Sequence, residues 1–277
     1  MNRSDNELTV YLPGKAFPSV SVTGTGCDLM CEHCKGRHLK GMVAVRDAED
    51  LVRTVDGIVS AGGTGMLVSG GCDADGSVPV MKVIDAIRYA KSKGLKVNVH
   101  TGFVGRDDAE RLVKAGTDSF SVDVHQDAAV IKNILHLNIP QSAYSDMLAN
   151  IISAGGVPAA HLTVGFGTED LVMSAELVKR TGLKDVILLA LVPTEGTVTE
   201  DSLISEDAVI DAVKILTEMG LNVTLGCMRP RAHRNLEIRC IDAGVRKIAN
   251  PSRGTVSWAR SKGMTVIEKR MCCSVTP

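Results

Sequence analysis

The stretch Thr23-Gly24-Thr25-Gly26-Cys27-Asp28-Leu29-Met30-Cys31-Glu32-His33-Cys34 decides how the rest of the chain is read. It follows an apolar, β-type run at 19–23 and sets three cysteines at the spacing C-x3-C-x2-C. Three thiolates this close can grip one metal centre but cannot complete a four-ligand shell. A cube-shaped iron–sulfur cluster held this way keeps one iron open for a small molecule, whereas structural clusters usually take four cysteines. An open position points to chemistry rather than to a staple. A zinc ion closed by His33 or His38 is the alternative reading. Zinc ligands usually come as two pairs with a spacer, and no second pair follows nearby.

Working outward, apolar β-branched runs alternate with helical patterns along the whole chain. Strands are expected at 19–23, 65–69, 96–100, 119–124, 160–165, 186–191, 222–226 and 246–249. Near-continuous apolar runs such as Val186-Ile187-Leu188-Leu189-Ala190-Leu191-Val192 suit strands buried on both faces. Helices are expected at 48–60, 80–93, 107–115, 143–154, 169–181, 205–219, 234–243 and 255–262. Leu51, Val52, Val55, Ile58 and Val59 show the helical spacing. Several of these segments run into a glycine, the usual helix stop signal. Strict strand–helix alternation predicts an α/β fold, a parallel (β/α)8 TIM-type barrel, complete or nearly so. An open doubly wound sheet is the runner-up. No Gly-x-Gly-x-x-Gly opens the first helix, so a dinucleotide fold has little support. In a barrel the active site lies at the C-terminal ends of the strands, where the cysteine loop falls.

The 277 residues suit a single barrel domain over 1–277, with a cysteine-bearing tail at about 264–277. A net charge of −1 and 3% aromatic residues argue against nucleic acid as a partner. No apolar run is long enough to span a bilayer, and the opening Met-Asn-Arg-Ser-Asp-Asn-Glu lacks the apolar core of a signal peptide. A cytoplasmic location is therefore expected, where the eight cysteines read as metal ligands or buried thiols rather than disulfides.

The cysteine spacing after a first strand resembles the radical S-adenosylmethionine (SAM) superfamily. The resemblance implies a 4Fe–4S cluster on Cys27, Cys31 and Cys34 whose open iron chelates SAM. It implies reductive cleavage of SAM to a 5′-deoxyadenosyl radical, fed by a reductant such as ferredoxin or flavodoxin. Other positions are similar to the family pattern in order. Gly70-Gly71 stands where a glycine pair meets the SAM amino group, although Cys72 replaces the acid common there. Asp123, with Ser121 assisting, stands where an acid or hydroxyl meets the ribose. Gly165 and Gly167 stand where a glycine-rich strand packs on adenine, with Phe166 beside it. Pro193-Thr194-Glu195-Gly196-Thr197 resembles a Pro-x-x-Gly-Thr segment of biotin synthase and its relatives.

Four further cysteines, Cys72, Cys227, Cys272 and Cys273, are candidates for a second, auxiliary iron–sulfur cluster, with the tail folding over the barrel mouth. They also read as small buried residues with an incidental tail pair. The chain resembles biotin-synthase-like proteins, including archaeal split lipoyl synthases, in which a second cluster donates sulfur. That implies sulfur insertion into an octanoyl chain on a lipoyl-carrier protein, with a second radical SAM subunit as a further partner. Arg229 stands at a place comparable to that of the arginine, near the seventh strand, that ligates the second cluster of biotin synthase. A single-cluster enzyme of methylation, rearrangement or cofactor assembly is the alternative, and a non-catalytic metal-binding protein is the alternative from another class. Cys240 reads as a core thiol. His100 and His125 end strands and line the pocket or serve as hydrogen-bonded structure, while His161, beginning a strand on the far side, reads as structural.

Overall fold

The computed structural model describes residues 6–275. Most of the opening segment read above for a signal peptide, and the last two residues of the tail, lie outside them. The strands are β1 (Glu7–Tyr11), β2 (Ser19–Ser21), β3 (Val43–Ala44), β4 (Gly65–Ser69), β5 (Lys96–His100), β6 (Ser119–Asp123), β7 (Pro158–Val164), β8 (Asp185–Ala190), β9 (Asn222–Leu225), β10 (Lys247–Ala249) and β11 (Thr265–Lys269). The helices are α1 (Ala48–Ser60), α2 (Ile84–Ser92), α3 (Arg106–Ala115), α4 (Ser142–Ser153), α5 (Thr168–Arg180), α6 (Glu206–Glu218), α7 (Leu236–Asp242) and α8 (Arg253–Ser261). All eight expected strands and all eight expected helices form.

Every ladder is parallel, and the sheet runs β11-β1-β10-β9-β8-β7-β6-β5-β4-β2-β3. It has eleven strands rather than eight, and it curls into a half-barrel. Among the described residues its edges, β3 and β11, each pair with one neighbour only. The seam is bridged where the Thr64 hydroxyl donates to the carbonyls of Ala16 (3.2 Å) and Arg270.

Strand alternation separates an outer from an inner face. On β6, Phe120 and Val122 are buried in the main apolar core. Their neighbours Ser119, Ser121 and Asp123 point into the lumen, toward the tail and the histidines of adjacent strands. Fully buried outer-face side chains such as Phe120 and Leu188 each contribute about 1.5–3 kcal/mol. Helix ends follow the sequence signals. Asp47 caps α1 by accepting from the Asp50 N–H at 2.8 Å, worth about 1 kcal/mol. Gly116 ends α3 at φ +96°, which lets the Thr117 N–H reach back to the Leu112 carbonyl at 3.1 Å.

The tail departs from expectation. Residues 270–275 cross the floor of the lumen, at the N-terminal strand ends, and do not fold over the mouth. The Ser274 carbonyl accepts from Ser119 at 2.6 Å, and the Ser274 hydroxyl meets Ser121 at 3.0 Å and His161 at 3.4 Å. The offset of β1 and β11 around the curl brings Lys269 to the foot of β4, so the chain enters from below.

Candidate active site

The cysteine loop leaves the top of β2 and is fixed by its own short polar side chains. Ser21 Oγ donates to the Gly24 carbonyl at 2.6 Å and Thr23 Oγ1 to that of Gly26 at 2.9 Å. The Asp28 N–H donates to the Cys72 carbonyl at 2.8 Å, and the Lys35 N–H to that of Cys31 at 2.9 Å. Met30 and Lys35 adopt positive φ, +44° and +42°, a strain of about 1–3 kcal/mol each that the surroundings must hold. The glycine pair meets this loop directly. Thr23 Oγ1 accepts from the Gly71 N–H at 2.7 Å. A Cβ on Gly71 would collide with the Gly26 carbonyl and the Cys27 side chain. Gly71 is thus required by its close approach to the cysteine loop, whereas the sequence reading gave the pair the approach to a ligand.

Cys31 is buried, and Cys27 and Cys34 are half-buried. The Cys31 thiol donates to Cys34, which pushes Cys34 down and Cys31 up; burial and the neighbouring sulfurs raise Cys31 further. Several thiolate charges cannot coexist here without a cation. Among the described residues, no group of three His, Cys, Asp or Glu side chains closes around one metal ion. A closed zinc site is therefore not built here, whereas a cube spreads its ligands over separate irons. The Nδ1 atom of His33, between the second and third cysteines, is buried without a hydrogen-bond partner. Such an orphan suits a missing polar ligand. The donor set, the backbone cradle at Gly71 and this orphan fit a cluster with a small polar molecule beside it.

Phe166 lies edge-on to His33 (5.3 Å) and to His125 (5.1 Å). It is flanked by Gly165 (φ +124°) and Gly167 (φ +110°). A Cβ on Gly167 would meet nothing within 4 Å, so that backbone faces open space, while one on Gly165 would strike Leu191. His125 is not a free pocket base. Its Nδ1 pairs with buried Asp170 at 2.9 Å, and Asp170 also accepts from the N–H groups of Gln126 and Asp127. This anchors the loop after β6 to the start of α5. Burial works to raise the Asp170 pKa, but His125 and the two N–H groups outweigh it.

Asp123 ends β6 between two histidines, His100 at 3.2 Å and His161 at 3.3 Å. Its side chain is 44% exposed yet ringed by protein, the signature of a cavity wall. Burial works to raise its pKa, but His100 and then His161 hold it well below the usual carboxylate range. Burial lowers His100, and Asp123 more than offsets that, leaving His100 raised. His161 is mid-strand and faces the lumen, which corrects its reading as a far-side structural residue. The sequence reading started β7 two residues late. Ser121 does not stand with Asp123. Its hydroxyl serves Asn98 (2.9 Å) and Ser274 (3.0 Å), one step deeper.

The four candidates for a second cluster divide. Cys72 sides with the first cysteines; burial, then the charges of Cys27 and Asp123, push it up to about 12. Cys272 and Cys273 lie together in the lumen, while Cys227 is exposed and acts on them electrostatically. Cys273 donates to Cys272, lowering Cys272 and raising itself. The Ser274 N–H (3.5 Å) and Asn98 Nδ2 (3.7 Å) also point at Cys272 Sγ. Arg229 is not available as a ligand. It is buried, paired with Glu237, and donates to the carbonyls of Gly226, Ala249 (2.8 Å) and Asn250 (3.1 Å). Cys240 is a buried core thiol, as expected. Across the lumen, Tyr11, Ile187, Leu189 and Ala249 pack with Cys273 into a second apolar cluster, edged by Met228 and Met271.

Comparison with known proteins gives a family and a fold. The profile of the radical SAM superfamily matches residues 21–181. A methylornithine synthase (PylB) structure superposes with a TM-score of 0.67 at 13% identity, covering 95% of this chain and 86% of that one. The hydrogenase maturase HydG from Carboxydothermus hydrogenoformans gives 0.64 at 17% identity, covering 94% and 68%. Streptococcus suis SuiB bound to S-adenosylmethionine gives 0.60 at 11%, covering 80% of this chain and 51% of SuiB. At these identities the structures speak for the fold alone. No curated protein matches the chain by sequence. No helix among the described residues is long and apolar enough to cross a membrane.

Proposed function

The chain belongs to the radical SAM superfamily, and from that premise we propose that it is a sulfur-inserting enzyme of the lipoyl synthase kind. Cys27, Cys31 and Cys34 would hold the 4Fe–4S cluster, with SAM beside it against Gly70, Gly71, Asp123, Gly165 and Gly167. When bound, cluster and SAM supply an electron and a 5′-deoxyadenosyl radical for hydrogen abstraction. The protein's own residues then orient and exclude. Gly71 lets the glycine turn close against the cysteine loop, the orphan His33 Nδ1 would offer the cofactor a hydrogen bond, and the paired histidines fix the Asp123 carboxylate.

The observation that supports the sulfur-insertion reading is the placement of Cys272 and Cys273 on the lumen floor, with Cys227 within electrostatic reach of both. Cys272 and Cys273 lie against the apolar wall of Tyr11, Ile187 and Leu189, which suits an alkyl chain. An octanoyl group on a lipoyl-carrier protein is the proposed substrate. A ferredoxin or flavodoxin is the proposed reductant and a second radical SAM subunit a proposed partner. The auxiliary cluster would rest on these three thiols.

One observation favours a second reading. With Cys72 on the other side and Arg229 engaged by Glu237, three thiols remain where four ligands were expected. A single-cluster radical enzyme would then use the same lumen for methylation, rearrangement or cofactor assembly. Iron and sulfide counts on anaerobically reconstituted protein decide between the two. About eight irons, falling to about four in the triple variant C227A/C272A/C273A, is the expected result. About four in both proteins would leave the single-cluster reading.

A further inference from the structure

A cavity of about 130 Å³ lies at the N-terminal ends of β7, β8 and β10. Val157, Ala159, Lys184, Lys247, Cys273 and Ser274 are among its lining residues. Val157 is 48% exposed and stands at its rim. Cys273 is 9% exposed and forms its inner end, backed by Tyr11, Ile187 and Leu189.

Size limits what can enter. A water molecule takes about 30 Å³ of liquid volume, so the cavity admits a molecule of a few heavy atoms. An adenosyl group or an acyl chain must use the mouth. Charge limits it further. Two lysines, Lys184 and Lys247, face one aspartate, Asp185, which pairs with Lys247 at 3.2 Å. The lip is therefore net positive and favours a small anion. The tail is pinned by Ser119 and Ser121 rather than loose, so the opening is part of the fold.

We propose that this floor cavity is a second entrance to the lumen, a binding pocket that holds a small sulfur anion of the hydrosulfide kind beside Cys273 without a covalent step. Its use as a sulfur supply rests on the sulfur-insertion reading, while the route itself does not. Large substrate and SAM would enter from above and the small anion from below, so the two would not compete for the mouth.

The test uses the full-length, cluster-free protein in a C272S background, where Cys273 is the one tail thiol. Alkylation of Cys273 by iodoacetamide is followed by peptide mass mapping. V157W, which fills the rim, is expected to slow it about tenfold, because thiol reactivity follows access. V157A is expected to leave the rate unchanged or raise it. Thiocyanate, an unreactive small soft anion, is expected to slow it in a saturable way, and the more so with Lys184 and Lys247 intact than in K184Q/K247Q. Unchanged rates in V157W, with native circular dichroism, would overturn the route. Slowing by V157W without protection by thiocyanate would overturn the anion site. Neither outcome depends on how many irons the loaded enzyme holds, so failure here is distinct from failure of the sulfur-insertion reading.

Discussion

The two groups of thiols are built in opposite ways. Cys27, Cys31 and Cys34 sit on one continuous loop whose backbone is tied by its own serine, threonine and glycine residues. Cys227, Cys272 and Cys273 come from a strand end and a tail some forty-five positions later, joined only by tertiary packing. The first group is set before any ligand arrives, and its strain at Met30 and Lys35 is held locally. The second exists only once the tail has crossed the lumen floor. A preformed site resists change in its surroundings and fails sharply when its own atoms move. An assembled site depends on distant supports.

The largest expected effect lies in the first group. Replacing Cys27, Cys31 or Cys34 by alanine is expected to abolish SAM cleavage and the cluster's visible absorbance. The same change at Cys227, Cys272 or Cys273 is expected to leave uncoupled SAM cleavage in place. Cleavage lost equally from both groups, measured as 5′-deoxyadenosine formed, would erase the contrast drawn here.

Next comes G71A. The added methyl must displace the Gly26 carbonyl or Cys27. A misplacement of about 1 Å at a reacting centre can cost about 100-fold in rate. SAM cleavage is expected to fall by about that factor with folding retained, and a fall under about threefold would mean the loop is softer than its hydrogen bonds imply.

Arg229 tests the assembled side. It was a ligand candidate by resemblance and is instead the buried partner of Glu237, tying the loop after β9 to α7 and to the start of α8, where Glu237 also accepts from Thr255 at 2.6 Å and from the Ser252 N–H at 2.8 Å. R229M leaves the buried Glu237 carboxylate with only the half-exposed Arg231 at 3.4 Å as a charged partner and is expected to cost about 3 kcal/mol in denaturant unfolding. Iron content per folded molecule is expected to stay constant, and a selective loss of iron without loss of stability would restore the ligand role.

The same contrast explains what was legible in the sequence. The eight central strands and their helices announce themselves through local periodicity, and the triad through its spacing. β1 and β11 do not. β11 is exposed along much of its length and carries Glu268 and Lys269, so its apolar signal is weak, and its pairing with β1 joins residues at opposite ends of the chain. Without that pair the tail's path had no anchor, and it was assigned to the wrong end of the barrel. His161 was misread for a smaller reason: β7 begins at Pro158, so His161 is an interior, lumen-facing position rather than a strand start.

The smallest effect concerns the histidine pair that joins the two regions, since His161 touches both Asp123 and the tail residue Ser274. His100 is raised above its ordinary 6.5 because the charge and hydrogen bond of Asp123 outweigh burial. A group raised in the folded state contributes stability that is fully present below the unfolded value and is lost as pH rises through the folded one. The stability difference between the wild type and H100Q is therefore expected to be full on the acid side of 6.5 and to shrink as pH climbs past the raised value. Asp123, held low, works the other way: its contribution stands above 3.8 and fades only as pH falls through its depressed folded value. Between these limits the pair is charged and the clamp is intact. Unfolding curves of the wild type and H100Q at a series of pH values check the sign. A difference that grows toward alkaline pH would mean that His100 is neutral beside Asp123, and that the clamp is held by a neutral hydrogen bond rather than by charge.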